Sequence, residues 1–257
     1  MASRLLIVVL GIPLVWLALT AGEVSRFILF GLVSVLGQAE LFRLLSPDQE
    51  LPRLEAAGGL AILFATSLAG ERGLLLGFAL ALVGLGCLIV LRGLDGRGYQ
   101  RFALGTVSLA YLPFCLGFFL LLARSHGPTT LFALLVTVWA LDIGAYAVGM
   151  SLRGPALAPR ISPKKTVSGA VGGLAATAAT VWGLGAAGVF VLPPWRLAAL
   201  AAGIGVIGQV ADLFESVLKR EARQKDSGSL LGAHGGILDR VDSLLLVGPV
   251  AFLLLTL

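Results

Sequence analysis

Residues 216–242 read SVLKREARQKDSGSLLGAHGGILDRVD, and this polar stretch lies between two long apolar runs. In LDRVD, Asp239 and Asp242 stand three residues apart, so a helix would place both carboxylates on one face. Gly235 and Gly236 come just before them, where a helix N-terminus can offer free backbone N–H groups to an anion. Carboxylates for a hard metal ion, cations for phosphates and glycines for close approach occur together, which favours chemistry on a nucleotide or phosphate.

A polar helical face is also predicted just before and within this stretch. Asp212, Ser216, Lys219 and Arg223 follow helical spacing. They would therefore lie along one side of a helix that leads into the glycine-containing loop.

The order of these residues resembles the signature of the phosphatidate cytidylyltransferase (CDP-diacylglycerol synthase) family. The residues that carry the resemblance keep a fixed spacing: Ser216, Leu218, Lys219, Arg220, Lys225, Asp226, His234, Gly235, Gly236, Ile237, Asp239, Arg240, Val241 and Asp242. The family usually has proline two residues before the histidine, where this chain has Gly232. That difference removes no charged group.

The composition predicts an integral membrane protein. The chain has 257 residues, of which 58% are hydrophobic and only 13% charged, and its mean hydropathy is +0.97. Soluble domains carry about 25% charged residues. At roughly 20 residues per crossing, the length allows about eight or nine transmembrane helices. We therefore expect an all-α, polytopic helical bundle. The net charge of +5 comes from scattered loop residues, which makes nucleic-acid binding a poor interpretation.

Apolar runs predict the individual spans, of which the third is the weakest: 5–21, 24–45, 56–69, 74–91, 102–123, 129–150, 167–192, 197–214 and 237–257. Gln38 and Glu40 interrupt the second run. We expect N-terminal helices in residues 1–101 and a catalytic core in residues 102–257. The basic loops 151–166 and 215–240 are then cytoplasmic by the positive-inside rule.

Small residues fill the last third of the chain, and the spacing of Gly169 and Gly173 is typical of closely packed membrane helices. Cys87 and Cys115 both lie in apolar runs. They are expected to be lipid-facing or packed thiols rather than a disulfide.

Asp142 lies near the end of its span, and Tyr146 is four residues later on the same helical face. A carboxylate at membrane depth usually faces a protein interior or a wet cavity, although an interfacial acid would also fit. The pattern of Asp142, Ala145, Tyr146 and Gly149 is similar to a second element of the same family, which favours a functional role.

Residues 161–173 read ISPKKTVSGAVGG. Lys164 and Lys165 precede a helix whose N-cap would be Thr166 or Ser168, and cations beside a helix N-terminus suit a polyphosphate. The same lysines would also fit as topology determinants only. Another family element is matched by Ser162, Pro163, Lys165, Thr166 and Gly169. Ser168 stands where that element usually has glutamate.

The resemblance implies roles for the remaining residues. It places metal ligands at Asp212, Asp239 and Asp242, with Lys219 and Lys225 as further catalytic groups. The substrate-binding residues that it implies are Ser162, Lys164, Lys165, Thr166, Ser216, Arg220, Asp226, His234, Gly235, Gly236, Arg240, Asp142 and Tyr146. Two alternatives stay open from the residues themselves. Asp212 would also fit as an interfacial acid paired with Lys219 or Arg240, and His234 would fit equally as a phosphate contact or a helix cap.

The residues alone favour metal-dependent phosphoryl or nucleotidyl transfer at a membrane face. The resemblance implies CTP and phosphatidate as substrates, CDP-diacylglycerol and pyrophosphate as products, and the bacterial cytoplasmic membrane as the location. Mg²⁺ is the expected cofactor, as one ion, two ions or one ion with a monovalent partner, and a homodimer is left open. Two other functions remain open at this point: a CTP-dependent polyprenol kinase and a transporter, since intramembrane acids and glycine-rich helices also fit transport.

Overall fold

The computed structural model describes residues 2–46, 53–93, 96–228 and 235–257. Most of these residues are helical. The helices are α1 (Ala2–Thr20), α2 (Glu23–Leu45), α3 (Arg53–Arg92), α4 (Gly98–Leu109), a short π-helix (Ala110–Phe114), α5 (Cys115–Leu152), α6 (Val167–Ala186), α7 (Pro194–Glu221), α8 (Leu238–Leu245) and α9 (Val247–Thr256). Two short strands, β1 (Ala156–Ala158) and β2 (Ser162–Thr166), lie between α5 and α6.

The described residues include five helices that are long and apolar enough to cross a membrane. They are Glu23–Leu45, Arg53–Arg92, Gly98–Leu152, Val167–Ala186 and Pro194–Glu221. The prediction of a helical membrane protein is thereby confirmed. The predicted number of eight or nine crossings stays a prediction, because these five helices are recognised by length and composition only.

Helix α3 folds back on itself at Gly70, where φ is 61° and ψ is −134°. A positive φ of this kind is open mainly to glycine. A Cβ atom at Gly77 would lie 3.1 Å from the Cα atom of Ile62, so the two halves run side by side in opposite directions. Gly70 falls between the predicted spans 56–69 and 74–91. The uncertain third span is therefore one arm of a helical hairpin.

Prolines mark further interruptions. Pro113 lies in the π-helix that follows α4, and α4 ends at Leu109, four residues before that proline. The proline ring clashes with the carbonyl group of the residue four positions earlier, which explains the change of helix type. In α5, Gly127 has a φ of 84° next to Pro128, so the helix breaks between the predicted spans 102–123 and 129–150.

The last predicted span, 237–257, is divided into α8 and α9. The reason is again a proline: Pro249 lies four residues after Leu245, the final residue of α8. Residues Asp239 and Asp242 both lie in α8, as the spacing of LDRVD predicts.

The predicted loops also differ from the structure. Residues 156–166 contain an antiparallel hairpin in which Ala156 pairs with Thr166 and Ala158 with Ser162, so the fold is not purely helical. This segment has no helical apolar periodicity, and Pro163 is tolerated in β2 because β2 is an edge strand. Helix α7 continues to Glu221, well past the apolar run, because polar residues can prolong a helix into water. The predicted loop 215–240 is therefore helical in its first part.

Contacts between residues divide the chain into two compact units. The first unit contains Met1–Arg124 and Asp226–Arg240, and the second contains Ser125–Lys225 and Val241–Leu257. In the first, α2 and α4 pack on α3; in the second, α6 and α9 pack on α7. The predicted functional division at residues 101 and 102 stays a prediction.

Close packing by glycines is confirmed in the second unit. A Cβ atom at Gly173 would lie 3.1 Å from the Cβ atom of Ala145, and one at Gly172 would overlap the side chain of Val148. Helices α5 and α6 can therefore approach each other only because these positions lack side chains. Cys87 and Cys115 are both free, as expected.

We expect Gly172→Ala to destabilise the protein by about 1–3 kcal/mol, because the new methyl group must displace Val148. The matched control is Gly183→Ala in the same helix, where nothing lies within 4 Å of an added Cβ atom. That change should be neutral or stabilising by up to about 1 kcal/mol, since alanine favours the helix. Unfolding in detergent micelles measures both, and equal effects would contradict the packing interpretation.

Candidate active site

The second unit contains a cavity of about 620 Å³ among α5, β2, α6 and α7. This volume is in the range of small-molecule sites. Its lining includes seven of the residues predicted from the sequence: Asp142, Tyr146, Ser162, Lys164, Lys165, Thr166 and Asp212. The structure thus brings together two elements of the sequence that are about twenty residues apart, along with the acid of α7.

Lys164 and Lys165 lie on strand β2 and line the cavity. Helix α6 begins immediately after this strand. Thr166 is the N-cap of α6, because its hydroxyl oxygen accepts a hydrogen bond of 3.0 Å from the N–H group of Gly169. Of the two predicted caps, Thr166 is therefore correct. Ser168 instead donates a short hydrogen bond to the carbonyl oxygen of Arg153, which ties the start of α6 to the end of α5.

An ion pair between Lys165 and Asp212 crosses the cavity. Both side chains are partly exposed, at 29% and 28%. This partner differs from the two that were considered for an interfacial Asp212, since Lys219 pairs with Glu215 at 3.1 Å. Asp212 and Lys165 therefore face each other with solvent access, in a place that a phosphate group can reach.

Several carboxylates surround this ion pair. Asp142 interacts electrostatically with Asp212 and Asp242, and its Oδ1 atom accepts a hydrogen bond of 3.4 Å from the Ser243 hydroxyl. Asp242 and the buried Glu215 are neighbours in the same cluster. The carboxylates outnumber the lysines that pair with them, so the cluster carries an excess of negative charge.

This donor set fits a divalent cation that is held jointly with a substrate. Asp142, Asp212 and Asp242 repel one another, and a cation near them would relieve that repulsion. Among the residues that the structure describes, no three Asp, Glu, His or Cys side chains are arranged as a ready-made metal site. Mg²⁺ typically uses only one or two carboxylates and takes its other ligands from phosphates and water. The cluster supplies ligands of that kind.

The expectation of free N–H groups after Gly235 and Gly236 is wrong. The N–H groups of Ser227 and Gly236 donate to the Oδ2 atom of Asp239, at 3.0 and 2.8 Å. The next two N–H groups, at the start of α8, donate to Glu40. The chain's own carboxylates occupy this helix N-terminus, because unpaired N–H groups attract the nearest anion. A role for Gly235 and Gly236 in substrate binding stays a prediction.

Other signature residues lie elsewhere. Ser216 and Lys219 are buried in the last turns of α7. Arg220 donates to the carbonyl oxygens of Ile161 and Gln224, at 3.2 and 3.0 Å, and so braces the β-hairpin against the end of α7. Three more charged residues of the signature are exposed: Lys225, Asp226 and Arg240. His234 and Gly232 lie outside the described residues, so both alternatives for His234 stay open.

Three polar residues in apolar helices were missed as site candidates. Gln209 lines the cavity and donates to the carbonyl oxygens of Ala170 and Gly205, at 3.2 and 3.0 Å. Glu215 joins the carboxylate cluster, and Glu40 holds the start of α8. Gln209 and Glu40 are costly residues inside apolar runs, and Glu215 directly follows one, so the sequence carried a signal for all three.

The chain is similar to known proteins along much of its length. A model of the cytidylyltransferase family matches residues 2–257. Phosphatidate cytidylyltransferase of Brucella suis biovar 1 is 40% identical over 187 residues, which cover 71% of this chain and 66% of the relative. The enzyme of that name from Bacillus subtilis is 42% identical over 156 residues, 59% of this chain and 57% of the relative.

The similarity to a third relative covers more of both chains. Phosphatidate cytidylyltransferase of Pseudomonas aeruginosa is 35% identical over 237 residues, which are 89% of this chain and 87% of the relative. The chain spans just under two thirds of the Brucella relative but most of the Pseudomonas one. By the family match and this coverage, the chain belongs to the cytidylyltransferase family.

Proposed function

We propose that this protein transfers the cytidylyl group of CTP to phosphatidate, giving CDP-diacylglycerol and pyrophosphate. The observation that carries the proposal is the cavity of the second unit, where Lys164 and Lys165 face Asp142 and Asp212. Cations that bind phosphate and carboxylates that bind a metal ion are what nucleotidyl transfer needs. The names of the relatives supply the substrates, because each is a phosphatidate cytidylyltransferase.

In the proposed reaction, a phosphate oxygen of phosphatidate attacks the α-phosphorus of CTP in line with the leaving group. The new P–O bond forms as the bond to the β-phosphate oxygen breaks, and pyrophosphate leaves. Lys164 and Lys165 bind the phosphate oxygens and stabilise the negative charge that develops on them. The attacking oxygen is already ionised, so no strong general base is required.

Mg²⁺ is the proposed cofactor, and when bound it would supply positive charge that offsets the negative charge of the phosphates. Asp212 and Asp242 of the second unit are proposed ligands, and the signature adds Asp239. The buried pair of Lys219 and Glu215 positions this cluster, since Glu215 lies beside Asp242. Roles for Lys225, Arg220, Asp226, Arg240 and Ser216 in substrate binding stay predictions from the signature.

We also propose that the site opens to the cytoplasm from the bacterial inner membrane. The segment between α5 and α6 carries Arg153, Arg160, Lys164 and Lys165 and no acid, which favours the cytoplasmic side. CTP is a cytoplasmic nucleotide that does not cross a bilayer. Tyr146 lines the cavity and is 69% exposed, so a lipid substrate can approach the cavity from the side. The homodimer stays a prediction.

The position of a radioactive label tests the proposed reaction against the two other functions. Purified protein with phosphatidate and CTP labelled at the α-phosphate should yield labelled lipid and unlabelled pyrophosphate. A polyprenol kinase would instead transfer label from the γ-phosphate of CTP to a polyprenol. A transporter would take up substrate into vesicles without forming either product. Transfer of γ-label, or uptake alone, would overturn the proposed function.

Lys165→Ala should lower kcat/KM for CTP by about 10²-fold or more, because a phosphate contact in the cavity is lost. Arg160→Ala is the matched control: it removes one positive charge from the same segment, but Arg160 is exposed and outside the cavity. If both variants lose activity only through wrong insertion, seen by labelling of engineered loop cysteines, then the lysine serves topology alone.

Asp242→Asn and Asp239→Asn should each reduce turnover by about 10²-fold or more while membrane insertion is unchanged, because asparagine keeps the shape but loses the charge that a metal ion needs. Glu221→Gln is the control, since Glu221 is exposed at the end of α7. Mg²⁺ titrations should show that saturating metal does not restore the two aspartate variants. Near-normal turnover of either one would remove that residue from the set of metal ligands.

A further inference from the structure

Glu40 is a buried carboxylate near the end of α2, with only 4% of its surface exposed. A charge in an apolar helix is costly unless hydrogen bonds compensate for its lost water. All the described hydrogen bonds of the Glu40 carboxylate come from a segment almost two hundred residues later in the chain, within the same compact unit. This long-range contact explains how a carboxylate is tolerated at the buried position of Glu40.

The donors to Glu40 are the first groups of α8 and one hydroxyl. The N–H groups of Ile237 and Leu238 donate to its two carboxylate oxygens, at 3.0 and 2.8 Å, and the Ser227 hydroxyl donates at 3.3 Å. The first N–H groups of a helix have no partner within the helix, and a carboxylate there also interacts favourably with the helix dipole. Hydrogen bonds to a charged acceptor are the strong ones.

Two glycines of the signature stretch make room for this carboxylate. A Cβ atom at Gly228 would lie 2.7 Å from the Oε1 atom of Glu40, which is too close for any side chain. A Cβ atom at Gly236 would overlap both Glu40 and the Ser227 hydroxyl. The approach of Glu40 therefore gives one reason for glycine at these two positions.

The segment that Glu40 holds also holds Asp239. Its Oδ2 atom accepts hydrogen bonds from the N–H groups of Ser227 and Gly236, so the side chain is fixed by residues that themselves contact Glu40. We propose that Glu40 is a positioning residue: its carboxylate fixes Ser227 and the start of α8, and through them sets the direction of the Asp239 side chain.

A glutamine at this position cannot replace the carboxylate. Glu40 accepts hydrogen bonds on both oxygens, whereas a glutamine amide has only one acceptor oxygen and an NH₂ group that cannot accept. In Glu40→Gln at least one N–H group at the start of α8 would therefore lose its partner. The change is nearly isosteric, so it tests the hydrogen bonds and the charge rather than the packing.

The first experiment is hydrogen exchange on the full protein in lipid nanodiscs, and it does not depend on any activity. In Glu40→Gln, the amides of Ile237 and Leu238 should exchange at least about ten-fold faster than in the unchanged protein. Peptides from α6 should exchange at the same rate in both. The control is Glu71→Gln, which removes an exposed carboxylate from the same unit and should leave α8 unchanged. Unchanged exchange at the start of α8 in Glu40→Gln would overturn the proposal.

The second experiment rests on the proposed function and measures steady-state kinetics. Glu40→Gln should lower kcat at least about ten-fold and raise the Mg²⁺ concentration for half-maximal rate, because Asp239 is misplaced. The KM for phosphatidate should stay within about two-fold, since the cavity residues of the second unit are unchanged. A general loss of structure would instead change kcat, the Mg²⁺ requirement and the KM for phosphatidate together. That result would count against a positioning role. If the unchanged protein has no cytidylyl transfer, the proposed function fails, while the exchange experiment still decides the role of Glu40.

One further variant, Gly228→Ala, keeps the proposal testable if Glu40→Gln does not fold, and a second, Ser227→Ala, tests the coupling if Glu40→Gln does fold. Gly228→Ala does not substitute Glu40, but the added methyl group should displace its carboxylate. The amides of Ile237 and Leu238 should therefore exchange faster, as in Glu40→Gln. Ser227→Ala should reduce kcat when it is introduced alone. In a Glu40→Gln background its effect on kcat should be smaller by at least about three-fold, because the two side chains interact. Additive effects of the two changes, or normal exchange in Gly228→Ala, would show that Glu40 does not act through this segment.

Discussion

Burying a carboxylate among apolar helices costs several kcal/mol unless N–H groups or cations surround it. The first unit meets this requirement at Glu40, where the start of α8 and the Ser227 hydroxyl provide the donors. The signature stretch therefore folds around a charge supplied by the second helix of the chain. Its glycines and the direction of Asp239 both follow from that one constraint.

The second unit meets the same requirement with cations as well as hydrogen bonds. Lys165 pairs with Asp212, and Lys219 pairs with Glu215. Since the carboxylates of this cluster outnumber its paired lysines, the balance favours the arrival of a further cation. The side chains of such a site would not complete the coordination shell of a metal ion by themselves. In the proposed reaction, the phosphate substrate would supply further ligands.

Breaks in the helices bring these groups into position. Gly70 reverses α3, and prolines change or end the helices at the π-helix, in α5 and between α8 and α9. Glycines on α6 then let α5 approach closely, which places Asp142 beside the lysines of β2. The glycines and prolines that weaken individual helices therefore also determine how the residues of the cavity come together.

The sequence by itself determined the membrane class, the helix breaks near Gly70 and Gly127, and the family. Apolar runs, prolines and glycines act locally, and the spacing of the signature can be read without coordinates. It also identified Asp142, Tyr146, Lys165 and Asp212, because charged and polar residues in or beside apolar runs are costly and thus informative.

The tertiary structure alone decided the partners of those charges. Glu40 and the start of α8 are almost two hundred residues apart, and no local pattern reveals which anion satisfies a given set of N–H groups. For the same reason the sequence assigned the N–H groups beside Gly236 to a substrate, whereas the fold gives them to Asp239 and Glu40.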